Sequence, residues 1–208
     1  MHAVIVDYGM GNLGSIFRAV SECGACTVIV SDSPDEIRSA DKLILPGVGA
    51  FAEGMKNISD ADLDTLIVKL VLEEHKPLLG ICLGMQLLAS WGNEGGKIPG
   101  LNIIPGEVKK MVPHSLEERI PHVGWNEVHT IRDTALFKDI EQDSDFYFVH
   151  SFHFLPGNAD DIIGVTPYCG SFVSAVNHGS AWGVQFHPEK SSILGFAMLR
   201  NFLKMTGE

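Results

Sequence analysis

The stretch that most restricts the fold is Pro77-Leu78-Leu79-Gly80-Ile81-Cys82-Leu83-Gly84-Met85-Gln86-Leu87-Leu88. Pro77, Leu78 and Leu79 open a short apolar run that reads as a buried strand ended by Gly80. Met85, Leu87 and Leu88 restart an apolar pattern at helical spacing. A strand, a sharp turn and a helix with a nucleophile at the apex is the elbow geometry of G-x-S-x-G, with sulfur replacing oxygen. Flanking glycines are needed because the two backbones come close at so tight a turn. The turn also sets Cys82 near a helix N-terminus, whose N–H groups favour an anion. The competing reading is a core cysteine, since free cysteines are among the most buried residues.

The chain before this stretch alternates strand and helix. Residues 3–6 form an apolar, β-branched run, and Asn12 can cap a helix carrying Leu13, Ile16, Phe17 and Val20, with Gly24 placed to end it. Residues 27–30 read as a second strand. Ser33-Pro34 with Asp35 and Glu36 starts another helix, and residues 43–45 make a third strand. Leu63, Leu66, Ile67, Leu70 and Val71 then share one helical face. Such alternation implies a parallel sheet covered on both faces. After Ser90 the pattern changes. Residues 91–100 are glycine-rich and read as loop, and residues 102–130 alternate loosely, as antiparallel strands exposed on one side do. Further strands are expected at 146–149, 162–166 and 172–176. Residues 177–180 read as a turn, across which 181–186 pair back as a hairpin. Ile193, Ala197, Leu199 and Phe202 mark a closing helix. The expected class is α/β: a central, mostly parallel sheet flanked by helices, with an antiparallel portion toward the C-terminus. No repeat or linker divides the chain, so one domain over residues 1–208 is expected.

Charge and cysteine usage narrow the function classes. A net charge of −11 disfavours nucleic acid and anionic membrane as partners. No apolar run is long enough to span a bilayer, and the first residues carry no basic stretch of a signal peptide. Cysteines at 23, 26, 82 and 169 make no disulfide framework, so a reducing cytoplasm is expected. Cys23-Gly-Ala-Cys26 is a lone C-x-x-C; no second pair completes a zinc set, so neither metal nor cofactor is expected.

Three other motifs bear on chemistry. Gly9-Met10-Gly11-Asn12-Leu13-Gly14 matches the dinucleotide fingerprint, with Asp32 about where a ribose-binding acid belongs. Against that reading, Asp7 and Tyr8 intervene between strand and first glycine. Pro46-Gly47-Val48-Gly49 follows the third strand, so in a parallel sheet it emerges at the same carboxyl edge as Cys82. Val184-Gln185-Phe186-His187-Pro188-Glu189 offers a base and an acceptor to orient it, as a cysteine nucleophile requires. Two apart on extended chain, His187 and Glu189 would point to one side, and Pro188 suggests a strand end. His150, also at a strand end, competes for the role of base.

Pro46-Gly47-Val48-Gly49, Gly80-Ile81-Cys82-Leu83-Gly84-Met85-Gln86 and Val184-Gln185-Phe186-His187-Pro188-Glu189 together resemble the triad-type, class I glutamine amidotransferases, whose fold is flavodoxin-like. The order Cys, His, Glu matches as well. Asp7-Tyr8-Gly9-Met10-Gly11-Asn12-Leu13, Pro121-His122-Val123-Gly124-Trp125-Asn126 and Tyr147-Phe148-Val149-His150-Ser151-Phe152 resemble the branch that serves histidine biosynthesis as a glutaminase subunit. The resemblance implies Cys82 as nucleophile, His187 as base and Glu189 as its orienter. It implies an oxyanion site from Leu83 and the Gly47-Val48-Gly49 loop, with Gln86, Glu94, Ser151 and Phe152 helping to hold glutamine. Phe152 stands where that family usually has tyrosine, so an aromatic wall is expected there without a hydroxyl contact. The resemblance further implies a heterodimer with a (β/α)8 cyclase that receives ammonia, with Asn12, Trp125, Asn126, Tyr147 and Lys190 at the interface. Paralogues with the same chemistry feed surface-polysaccharide sugar modification, and the dinucleotide-binding reading of Gly9 to Gly14 is the alternative of another class.

Overall fold

Residues 1–24 and 27–205 are described by a computed structural model, so Cys26 lies outside the described residues. In the first half, β1 (His2–Val6), α1 (Leu13–Glu22), β2 (Thr27–Ser31), α2 (Pro34–Ser39), β3 (Lys42–Leu45), α3 (Phe51–Asp60), α4 (Asp64–Leu72), β4 (Leu78–Ile81) and α5 (Leu83–Leu87) follow one another. Asn12 caps α1, its side-chain oxygen accepting from Ser15 N–H, while Ser33 precedes Pro34 without a side-chain cap. The second half holds β5 (Trp91–Gly92), β6 (Ile98–Pro99), β7 (Gly106–Lys110), β8 (His122–Thr130), β9 (Ser144–His150), β10 (Phe152–Pro156), β11 (Ile162–Thr166), β12 (Phe172–His178), β13 (Ala181–Val184) and α6 (Ser192–Lys204).

The sheet runs β2-β1-β3-β4-β13-β12-β10-β7-β5-β6. β2, β1, β3, β4 and β13 are mutually parallel, and β12, β10 and β7 continue antiparallel. The start of that order is the flavodoxin-like 2-1-3-4 arrangement. β8 and β9 form an antiparallel pair joined to the sheet through β11. Alternate residues of β1 serve opposite cores, as a period of two requires. Val4 and Val6 face the layer of α2, α3, α4 and α5, while Ala3 and Ile5 face α1 and α6. No helix among the described residues is long and apolar enough to cross a membrane.

Several elements differ from the sequence expectation. α3 was not anticipated: Phe51, Met55 and Ile58 have helical spacing, but Gly54, Asn57 and Ser59 dilute it. Gly54 is there because Leu83 and Leu87 of α5 press against it. Residues 91–92 and 98–99, expected as loop, form short bridging strands that extend the sheet edge. β10 was also missed, since His153 and Pro156 interrupt its apolar pattern; it pairs along the whole of β7. β4 runs through Gly80 to Ile81 rather than ending at Gly80. Gly80 can stay in the strand because α5 passes directly over it: a Cβ there would lie 2.7 Å from the Gly84 carbonyl oxygen. A Cβ on Gly84 would in turn overlap the Leu45 carbonyl oxygen. These two close approaches let the chain reverse at Cys82.

Candidate active site

Three loops meet where the parallel strands β3, β4 and β13 end. The registers Leu45 with Gly80 and Ile81 with Val184 put Pro46, Cys82 and Gln185 side by side at one carboxyl edge. Cys82 N–H donates to the Val184 carbonyl at 2.8 Å, which ties the apex to β13. Cys82 itself has φ +54° and ψ −109°, a conformation that costs a non-glycine residue about 1–3 kcal/mol. The elbow reading of the sequence is thus the structure's own geometry. The Cys82 side chain is buried and lies 4.0 Å from the Val149 carbonyl.

His187 and Glu189 come together by a different route from the one expected. β13 stops at Val184, and His187 precedes a single 3-10 turn over Pro188–Lys190. The turn, not an extended strand, brings Glu189 Oε1 to 2.8 Å from His187 Nδ1. Both side chains are almost wholly buried. His187 Nε2 is buried without a hydrogen-bond partner, and Cys82 lies close enough to act on the charge of the ring. Burial works against charge on the imidazole. The neighbouring Cys82 and the Glu189 carboxylate bonded to Nδ1 outweigh it and raise His187 to about 10. A buried imidazolium held between a sulfur and a carboxylate is the outcome.

Beside this group lies a cavity of about 380 Å³, lined among others by Val48, Gly49, Cys82, Gln86, Glu94 and Phe152. Leu83, Val149, His150, Ser151 and Pro121 complete its wall. Its size suits a small amino-acid ligand. Glu94 also accepts from Phe51 N–H at 2.8 Å at the start of α3, so one of its oxygens is engaged. Both N–H groups of Gln86 are engaged too, with the Phe152 carbonyl and with Gln185 Oε1, each at 2.9 Å. The Gly47 carbonyl accepts from Leu83 N–H at 3.3 Å, so the donor expected at an oxyanion is occupied. Tyr8, to which sequence reading gave no role of its own, sits buried under this loop and donates to the Pro46 carbonyl at 2.6 Å. Burial and the nearby Cys82 charge push its phenol far up, so it stays a donor.

His150 reaches the cavity wall but has no carboxylate partner. Its Nδ1 donates to the Phe152 carbonyl at 2.9 Å, which leaves Nε2 to accept from His122 Nδ1 at 3.1 Å. His122 Nε2 then accepts from Asn126 Nδ2 at 3.3 Å. Burial lowers His150 to about 3 and His122 to about 4, so both rings are neutral at neutral pH. Unfolded histidines take up protons below about pH 6.5. The pair's contribution to stability is therefore complete above that pH and is lost as pH falls toward 3–4. The His122 ring stacks on Tyr168 with centroids 4.0 Å apart. Thermal melts should show Tm dropping from pH 6.5 to 4, with a flatter slope in His122→Phe, which keeps that stacking. Equal slopes in the two proteins would contradict the assignment.

The five expected interface residues are not one patch. Trp125 is 54% exposed and meets Tyr147 edge-on at 6.1 Å, and Lys190 Nζ lies 5.8 Å above the Tyr147 ring. Asn12 is exposed and, with Pro46, Gly47, Val48 and Ile81, borders a void beside His187 and Glu189. Asn126 sits on the opposite face of β8 from Trp125 and turns inward to His122 and the Pro167 carbonyl. Strand alternation separates two neighbours that the motif had listed together. The Gly9–Gly14 turn packs against the Pro46-Gly47 loop through Gly11. Among the described residues no group of three or more His, Cys, Asp or Glu could hold a metal ion.

Comparison with known proteins shows the family. The model of the family described as glutamine amidotransferase class-I matches residues 4–205. The chain is 47% identical to imidazole glycerol phosphate synthase subunit HisH of Moorella thermoacetica, over 95% of this chain and 92% of that one. It is 45% identical to subunit HisH 1 of Methanococcus maripaludis, over 97% and 98% respectively. A glutamine amidotransferase structure from Thermotoga maritima superposes with a TM-score of 0.67 at 17% identity, covering 98% of this chain and 96% of that one, which shows the shared fold. These matches set aside the dinucleotide-binding alternative: the chain belongs to the class-I glutamine amidotransferases, and within them to the HisH-type subunits of imidazole glycerol phosphate synthase.

Proposed function

We propose that the chain hydrolyses glutamine to glutamate and ammonia through a thioester on Cys82 and passes the ammonia to a cyclase subunit in histidine biosynthesis. The observation that carries this reading is the buried line Cys82–His187–Glu189 beside the cavity of Gln86 and Glu94. The sulfur attacks the substrate carboxamide, and its proton resides on His187. The imidazolium protonates the departing ammonia. His187 then takes a proton from water as that water attacks the thioester, and Glu189 keeps the ring oriented throughout. Leu83 N–H and the Val48 N–H serve the oxyanion once the Gly47–Val48 peptide turns over. Before that turn the Gly47 carbonyl accepts from Leu83 N–H. Ammonia released to water would be protonated and lose its nucleophilic lone pair. A docked partner that takes it up directly prevents that loss.

The surface around Trp125, Tyr147, Lys190 and Asn12 lies next to the His187 turn and is the face we assign to the cyclase in a heterodimer. The cytoplasm is the corresponding compartment. The test is product analysis: the chain with its cyclase subunit should release glutamate and ammonia from glutamine one for one. Absence of glutamate in the presence of a functional cyclase would refute the reading.

A further inference from the structure

Gln185 is the one polar residue of the Val184–Glu189 motif to which the mechanism above gives no work. Its side chain is wholly buried. Burying an amide costs free energy unless it is hydrogen-bonded, and a leucine of similar size would fill the space without that cost. The amide is held by a chain of bonds whose direction is fixed. The Phe152 carbonyl can only accept, so the group of Gln86 that meets it at 2.9 Å is the NH2. That same NH2 meets Gln185 at 2.9 Å, so the Gln185 atom facing it is the oxygen. The nitrogen of Gln185 is thereby turned to Cys82 Sγ, 3.6 Å away. The parallel register of β4 and β13 places the two residues next to each other in the first place.

We infer that Gln185 is a further catalytic residue, whose amide N–H stabilises the Cys82 sulfur when it leaves as a thiolate, and that Gln86 and the Phe152 carbonyl orient it for that task. The inference rests on the glutaminase reading. In the second half of the reaction water adds to the thioester carbonyl and gives its proton to His187. The tetrahedral adduct then breaks its C–S bond; the electron pair goes to sulfur and glutamate departs. Negative charge appears on sulfur in that step, opposite the Gln185 donor. The Gln185 amide is a second, neutral donor to the same sulfur, held in place by Gln86, and a donor aimed at developing charge is worth far more in a buried site than in water.

The experiment compares wild type with Gln185→Met and Gln185→Glu, full chain with the cyclase subunit. Gln185→Met removes the donor at similar volume. Gln185→Glu keeps the oxygen that Gln86 needs, so the network and fold survive if the methionine variant does not. Both should lose about tenfold to a hundredfold in kcat, the effect expected of a hydrogen bond to a charged group. KM should fall or stay level, because slow breakdown lets the thioester build up. Intact-mass measurement during turnover should show the γ-glutamyl adduct on the variants and not on wild type. A kcat within twofold of wild type in a folded variant would overturn the inference, as would a loss of rate without adduct or with raised KM. If wild type itself releases no glutamate, it is the glutaminase reading that fails.

Discussion

Cys82→Ala and His187→Ala should each lower glutamine hydrolysis by at least about 10,000-fold, and the double variant should be no worse than either single one. Groups that act as a unit lose their function together, so their effects are far from additive. The sulfur supplies the bond to the acyl group, and among the described residues near Cys82 the His187 imidazole has a carboxylate behind it. Glu189→Gln should keep more activity than His187→Ala, since an amide oxygen can still accept from Nδ1. His150 is the informative control. Its two ring nitrogens are taken by the Phe152 carbonyl and His122, so it has no proton to exchange with substrate. Glutamate release is the readout. An active His187→Ala, or a dead His150→Ala that still binds its partner, would overturn the choice of histidine.

The second large effect is expected from the partner. Alone, the chain should be a poor glutaminase, and it should gain about a hundredfold to a thousandfold on binding the cyclase with its nucleotide ligand. That range is what one oxyanion donor is worth. The physical basis is the Gly47–Val48 peptide, whose carbonyl accepts from Leu83 N–H and so points its own N–H away from the substrate. Tyr8 fixes the Pro46 carbonyl before it, and Glu94 fixes Phe51 N–H after it, so the segment between is free to turn while its ends stay put. Gly47, which has no Cβ, lets the peptide after it rotate at little steric cost. Val48 is 42% exposed, within reach of a docked partner that prefers one orientation. Glutamate release by the chain alone, with the cyclase, and with cyclase plus its ligand measures this; equal rates would refute the coupling. Lys190→Ala should abolish the stimulation and spare the basal rate.

How much of this could be read from the sequence follows from how local each signal is. The elbow was legible because Gly80, Cys82 and Gly84 carry their geometry within five residues. The βα alternation gave the parallel half of the sheet, since each apolar run there is buried on both faces. The antiparallel half was less clear. β10 and the bridging strands β5 and β6 owe their existence to neighbours in the sheet, not to their own patterns. The contact between His187 and Glu189 was legible from their spacing, but the extended link between them was wrong, because Pro188 starts a turn that supplies the same contact. Gln185, Tyr8 and the His122–His150 pair were beyond reach. Each acts across tens of residues in the chain, through contacts that depend on strand register.

The most direct test is mass spectrometry after reaction with an electrophilic glutamine analogue. The label should fall on Cys82 alone, be suppressed by excess glutamine, and be absent from Cys82→Ser. Label on Cys23, Cys26 or Cys169 in place of Cys82, or labelling indifferent to glutamine, would contradict the assignment of this site as a glutaminase centre.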